Sequence, residues 1–135
     1  MAKVKQDPQF EIAFFENVLK HSPDFIEALV ALGDLYTTNG SYAKGLAVDE
    51  KLARLRPDDG TILYNLACSY SLLADMPKAR RTMEKAFACG YDDFLHLEKD
   101  TDLMNLMLDD EFVVMLKNAK SRRPQRPAEA VEDGR

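Results

Sequence analysis

Cysteine, histidine and long apolar runs are all scarce in this chain, and each shortage removes a class of function. Two cysteines, Cys68 and Cys89, cannot make a disulfide framework, which points to a reducing compartment and a cytoplasmic protein. Two histidines, His21 and His96, stand without a Cys or carboxylate at metal-ligand spacing, so no metal site is expected and both read as surface groups. The longest uncharged stretch, residues 60–74, falls short of the roughly 20 apolar residues a membrane span needs and carries Thr61, Asn65, Ser69 and Ser71. The first eight residues have no apolar centre, and no secretory signal is visible in them. Basic residues are also in deficit: 18 Lys and Arg face 23 Asp and Glu, a net charge of −5. That balance lacks the basic footprint of a nucleic-acid binder. No glycine-rich phosphate loop and no nucleophile–base arrangement occurs, so neither a cofactor nor an enzymatic activity is expected, and an enzyme is the most distant reading.

What is present is a stretch that occurs twice. Leu29-Val30-Ala31-Leu32-Gly33-Asp34-Leu35-Tyr36 returns 34 residues later as Leu63-Tyr64-Asn65-Leu66-Ala67-Cys68-Ser69-Tyr70. Each copy reads large, two spacers, Leu, small, two spacers, Tyr. The agreement runs on at the same offset, with Gly45 answering Ala79 and Leu52 answering Ala86. A helix puts the large, Leu, small and Tyr positions on one face, and the small residue lets a second helix approach closely. Strand alternation is absent, and every long apolar pattern has the helical period.

These residues resemble the tetratricopeptide (TPR) pattern of large-x-x-Leu-Gly-x-x-Tyr, then Ala, then Pro, with Pro57 closing the first full copy. The departures are Gly45 for the usual Ala, Asp49 and Met83 for an aromatic, and Tyr91 for the second Pro. The resemblance covers roughly half of the chain. It implies an all-α array of helix-turn-helix pairs: half a repeat, two full repeats, then short capping helices like those that end many bacterial TPR arrays.

In chain order, residues 1–7 are expected to be loose, residues 8–120 to form the helical domain, and residues 121–135, with Pro124 and Pro127 among charges, to be disordered. Pro8 opens a helix to about Lys20. Asp24, with Glu27 three residues on, is expected to cap the next helix, which ends at Asn39-Gly40. Ser41 is expected to cap a helix from Tyr42 to about Leu55, Asp58 or Asp59 one from Gly60 to Leu73, and Asp75 one ending near Cys89. Short helices then follow near Asp93 to Glu98 and Asp102 to Met107, and a longer one from Asp110 to about Lys120. Lys78, Arg80, Arg81 and Lys85 read as an outward, solvated face, and Met76, Met83, Met104, Met107 and Met115 as core filler.

The site implied by the resemblance is the concave groove lined by the first helix of each repeat. Its side chains are expected to be Glu27, Val30, Asp34, Thr37 and Thr38, then Thr61, Tyr64, Asn65, Cys68 and Leu72. Val30 and Asp34 stand where a clamp for acidic chaperone tails would need Lys and Asn, and only Asn65 matches, so such a tail is not the expected partner. The expectation is an adaptor that binds a neutral or basic segment of another protein in this groove, with neither nucleic acid nor membrane as partner. The alternative is a structural protein that assembles through the ends of the array. The first helix motivates it, since its apolar positions sweep roughly 200° of arc. Phe10 and Phe14 are placed on the outer edge, either as a two-fold homodimer face or covered by the chain's own termini.

Overall fold

A computed structural model describes residues 7–122, and among these the chain is all helical, with eight α-helices, one 3₁₀ turn and no strand. The expected disorder of residues 1–6 and 123–135 falls outside the described residues, whereas Ser121 and Arg122 are helical. Helix α1 spans Pro8–His21, α2 Ile26–Thr38, α3 Tyr42–Leu55, α4 Gly60–Leu72 and α5 Met76–Ala88. A terminal segment follows, made of α6 (Phe94–Lys99), the 3₁₀ turn Thr101–Leu103, α7 (Met104–Met107) and α8 (Asp110–Arg122). Each of α1 to α5 packs against its neighbour in sequence, and the terminal segment lies on α4 and α5.

Local chemistry explains most helix ends. The Asp59 side chain accepts from the amides of Thr61 and Ile62, Asp75 from Lys78, Asp93 from His96, and Asp109 from Phe112. Each thereby satisfies orphan donors of a first turn. Two expected caps are absent. Asp24 leaves the N-terminus of α2 to Phe25, which makes no side-chain cap, and pairs instead with Lys51 of α3 at 3.4 Å. Ser41 occupies the cap position of α3 without a side-chain bond. Helices α2, α4 and α5 all stop in one way. The amide of Ser41 donates to the Tyr36 carbonyl and that of Gly40 to Thr37, and the same pair recurs as Asp75 to Tyr70 with Ala74 to Ser71, and as Tyr91 to Ala86 with Gly90 to Phe87. This double closure requires a left-handed residue. Gly40 supplies it at φ 84°, but 34 residues later Ala74 holds φ 62°.

The packing carries the same 34-residue offset. The Tyr36 hydroxyl of α2 donates to Glu16 of α1, and the Tyr70 hydroxyl of α4 donates to Glu50 of α3 at 2.9 Å. Both contacts span 20 residues. Gly45 stands where a methyl would lie 2.8 Å from the Thr37 hydroxyl oxygen, so that hydroxyl fills the space an Ala would take. Asp49, at a position where the resembled pattern has an aromatic, is buried and accepts from the Ser69 hydroxyl at 2.6 Å.

The largest apolar cluster joins α4 and α5 to the terminal segment through Leu63, Ala67, Met83, Leu97, Leu106 and Phe112, while Ile12, Leu32 and Tyr36 form a smaller one under α1. Of the methionines read as core filler, Met83 is fully buried but Met104 is 63% exposed. Arg80 likewise departs from the solvated face expected of it: it turns into the structure and pairs with Asp109 at 2.6 Å, tying α5 to the start of α8.

Candidate functional site

Of the side chains that the resemblance placed on the inner face of α2 and α4, Asp34, Thr37, Thr61, Tyr64, Asn65 and Cys68 line two recesses, and the terminal segment packs on α4 beside them. Asp100, in the link between α6 and the 3₁₀ turn, accepts from the Tyr64 hydroxyl at 2.6 Å, and its same oxygen lies 3.8 Å from the Cys68 sulfur and 3.5 Å from His96 Nε2. Its other oxygen accepts from the Asp102 amide at 3.0 Å. The Tyr64 ring stacks on Tyr91 with centroids 4.3 Å apart and is tilted against His96. Further along, Asn105 Nδ2 donates to the Ser71 carbonyl at 2.9 Å, and the Ser71 hydroxyl accepts from the Leu106 amide at 3.2 Å. The first turn of α7 has no side-chain cap of its own. Ser71 takes that role from α4, which fixes α7 on the inner face.

This arrangement divides the groove residues. Tyr64 is only 2% exposed and Cys68 is buried, each presenting little more than an edge to the recesses it lines. Burial, with Asp100 and Asp102 beside it, pushes the Cys68 thiol well up, leaving a neutral sulfhydryl rather than a nucleophile. Burial also pushes the Tyr64 hydroxyl up. Glu27, Asp34, Thr38 and Thr61 remain exposed, and Val30, Thr37, Asn65 and Leu72 are half-buried.

Two adjoining recesses result. One, of about 360 Å³, is walled by Tyr64 and Tyr91 with Thr61, Asn65, Asp92, Asp93 and His96 around it. The other is a notch of about 50 Å³ between Asp34 and Thr37 of α2, Asp49 of α3, Asn65 and Ser69 of α4, and Asp100 and Asp102. Asn65 belongs to both. Among the described residues no Lys or Arg lines either recess. Four carboxylates share the notch, and burial raises those of Asp34, Asp49 and Asp102 above the ordinary range. Asp49 reaches about 6, with the Ser69 hydroxyl opposing the rise and Asp34 adding to it. Asp102 is raised further by Asp100 and Asp34. Among the described residues no group of His, Cys, Asp and Glu has the geometry of a metal site.

The spacing of Asp34 and Asn65 was readable from the repeated stretch, whereas the roles of Asp49, Tyr91, His96, Asp100 and Asp102 were not. Asp100 caps the 3₁₀ turn through one oxygen, while its other oxygen acts across 36 residues on Tyr64.

Fold and groove together define a helical array whose open inner face is partly closed by its own terminal segment. No protein-family model matches the chain. It is similar to a chloroplastic protein of Arabidopsis thaliana, with 31% identity over 85 residues that cover 61% of this chain and 25% of that protein. The chain thus spans about a quarter of that relative's length. Among the described residues no helix is long and apolar enough to cross a membrane.

Proposed function

We propose that the protein is a small TPR-type adaptor that binds a neutral or basic segment of another protein on its inner face. The observation that carries this reading is the pair of recesses meeting at Asn65, lined by six aspartates and one histidine and, among the described residues, by no permanent cation. A Lys or Arg side chain laid over Asp34 and Asp102 relieves the mutual repulsion that helps raise Asp102, while an acidic segment adds to it. The Asn65 amide, with a donor and an acceptor, suits an extended peptide backbone, and the edge of Tyr91 gives apolar contact beside it. Because the terminal segment already occupies the inner face at Tyr64 and Cys68, the free part is short and supports micromolar affinity. The free thiols Cys68 and Cys89 fit a reducing setting, and we place the protein in the cytoplasm on that ground. No catalytic step is assigned.

Amide-resonance mapping on the full chain tests this reading. Titration with short Lys- and Arg-containing peptides is expected to shift Asp34, Thr61, Asn65 and His96, and to weaken as salt is raised. Shifts confined to α1 or α8 would place binding elsewhere and refute the groove.

A further inference from the structure

Helix α1 has an apolar side that no other described element covers. Ile12 is buried against Leu32 and Tyr36, and Phe15 and Leu19 pack on the same cluster. The Tyr36 hydroxyl holds Glu16 to α2, which fixes the rotation of α1 about its axis. Phe10 and Phe14 are thereby turned outward, 68% and 54% exposed, and Phe14 is braced edge-on against Phe15 with centroids 5.1 Å apart. Two rigid aromatic rings one helical turn apart form the kind of patch that marks an interface.

The charges along α1 say what covers it. At about 100° per residue, Asp7, Phe10, Phe14 and His21 fall within roughly 60° of arc, a single seam with an acid at its N-terminal end, aromatics in the middle and a base at its C-terminal end. Glu11 and Lys20 repeat the acid-first, base-last order on its flanks. Such a seam is complementary to itself when reversed. In an antiparallel pair centred on Phe14, that ring meets the partner's Phe14, Phe10 meets the partner's Val18, and Asp7 meets the partner's His21. The two helix dipoles then also oppose favourably. A parallel pair would instead set Asp7 on Asp7 and His21 on His21.

We propose that this face is a two-fold homodimer interface in which α1 packs antiparallel on α1 of a second copy of this chain, centred on Phe14. A contact built on one pair of helices of about 21 Å lies at the small end of specific interfaces, below about 1,200 Å², so the dimer is expected to dissociate in the micromolar range. The inner face is not involved, and both copies keep their recesses free.

Sedimentation equilibrium of the full chain across the micromolar range, combined with cysteine pairing, tests the register as well as the association. The expected mass rises with concentration to twice the 15.3 kDa of one chain and no further. Phe10→Glu with Phe14→Glu is expected to give a monomer with unchanged helical circular dichroism, since both rings lie outside the core. Under mild oxidation Phe14→Cys is expected to form an inter-chain disulfide at position 14, identified by peptide mass, while Phe10→Cys, offset from the axis, does not. A monomer at all concentrations, whether another protein or residues 1–6 cover the face, overturns the proposal. So does a ladder of larger species, a dimer that survives the Phe10→Glu/Phe14→Glu exchange, or cross-linking at position 10 in preference to 14.

Discussion

Asp49 is the residue where sequence and stability conflict most openly. It is a buried carboxylate in a notch it shares with three other aspartates, paired with the Ser69 hydroxyl and with Asp34 nearby. Its folded-state value of about 6 lies above the ordinary 3.8, so the folded chain binds its proton more tightly than the unfolded chain does. The stability this provides is full below about pH 4 and is lost as pH rises through about 6, a change on the order of 3 kcal/mol. Asp49→Asn keeps the shape and the acceptor for Ser69 while removing the charge. Thermal melts from about pH 4 to 8 are expected to show the variant gaining on the wild type as pH rises, with the gain levelling above about pH 7. Parallel curves would show that Asp49 carries no such linkage. Ala74 is a second local conflict, a left-handed alanine at the position equivalent to Gly40. Ala74→Gly relieves the Cβ crowding and is expected to raise stability by up to about 1 kcal/mol, whereas Gly40→Ala is expected to lower it by a similar amount. Denaturant midpoints of the two variants check the opposite signs.

At the scale of elements, most helix limits were legible in the sequence because they are set within four or five residues. Pro8, Asp59, Asp75, Asp93 and Asp109 each act on their own first turn, and Gly40 and Gly90 stop their helices by backbone freedom. The misses have non-local causes: Asp24 is drawn to Lys51 on the next helix but one, and Arg80 to Asp109. Gly33 and Ala67 mark where helices touch, and a Cβ at Gly33 would already stand 3.2 Å from Asp49 and 3.4 Å from Val48. Gly33→Leu and Ala67→Leu are each expected to cost about 1–3 kcal/mol in thermal melts, through overpacking. The seat of the terminal segment makes a sharper case. Ser71 is fully buried, and Ser71→Ala strips the acceptor from the Leu106 amide, at an expected cost of about 1–3 kcal/mol. Hydrogen exchange should locate the loss in α7 and its neighbours rather than in α1 to α3. Uniform destabilisation would contradict the role of Ser71 as a remote cap.

For the whole molecule, an array of helices has two ends and an inner face, and the sequence accounts for them unequally. The apolar sweep of α1 follows from periodicity, and the placing of Asp34 and Asn65 on the inner face from the resemblance of the repeated stretch to the TPR pattern. The closure of that face does not. It depends on Asp100 reaching Tyr64 and on Tyr91 stacking on the same ring, contacts made only once the terminal segment has folded back. Tyr64→Ala would therefore damage packing as well as any groove contact, and Asn65 and Asp34 are the positions that separate binding from stability.

A peptide array probed with the full chain, beside an Asp34→Asn/Asn65→Ala variant of equal thermal stability, tests binding of a neutral or basic segment at the recesses. Bound sequences are expected to be neutral or rich in Lys and Arg, with signal lost in the variant and reduced by salt. Predominantly acidic bound sequences, or a variant that binds as the wild type does, would contradict it.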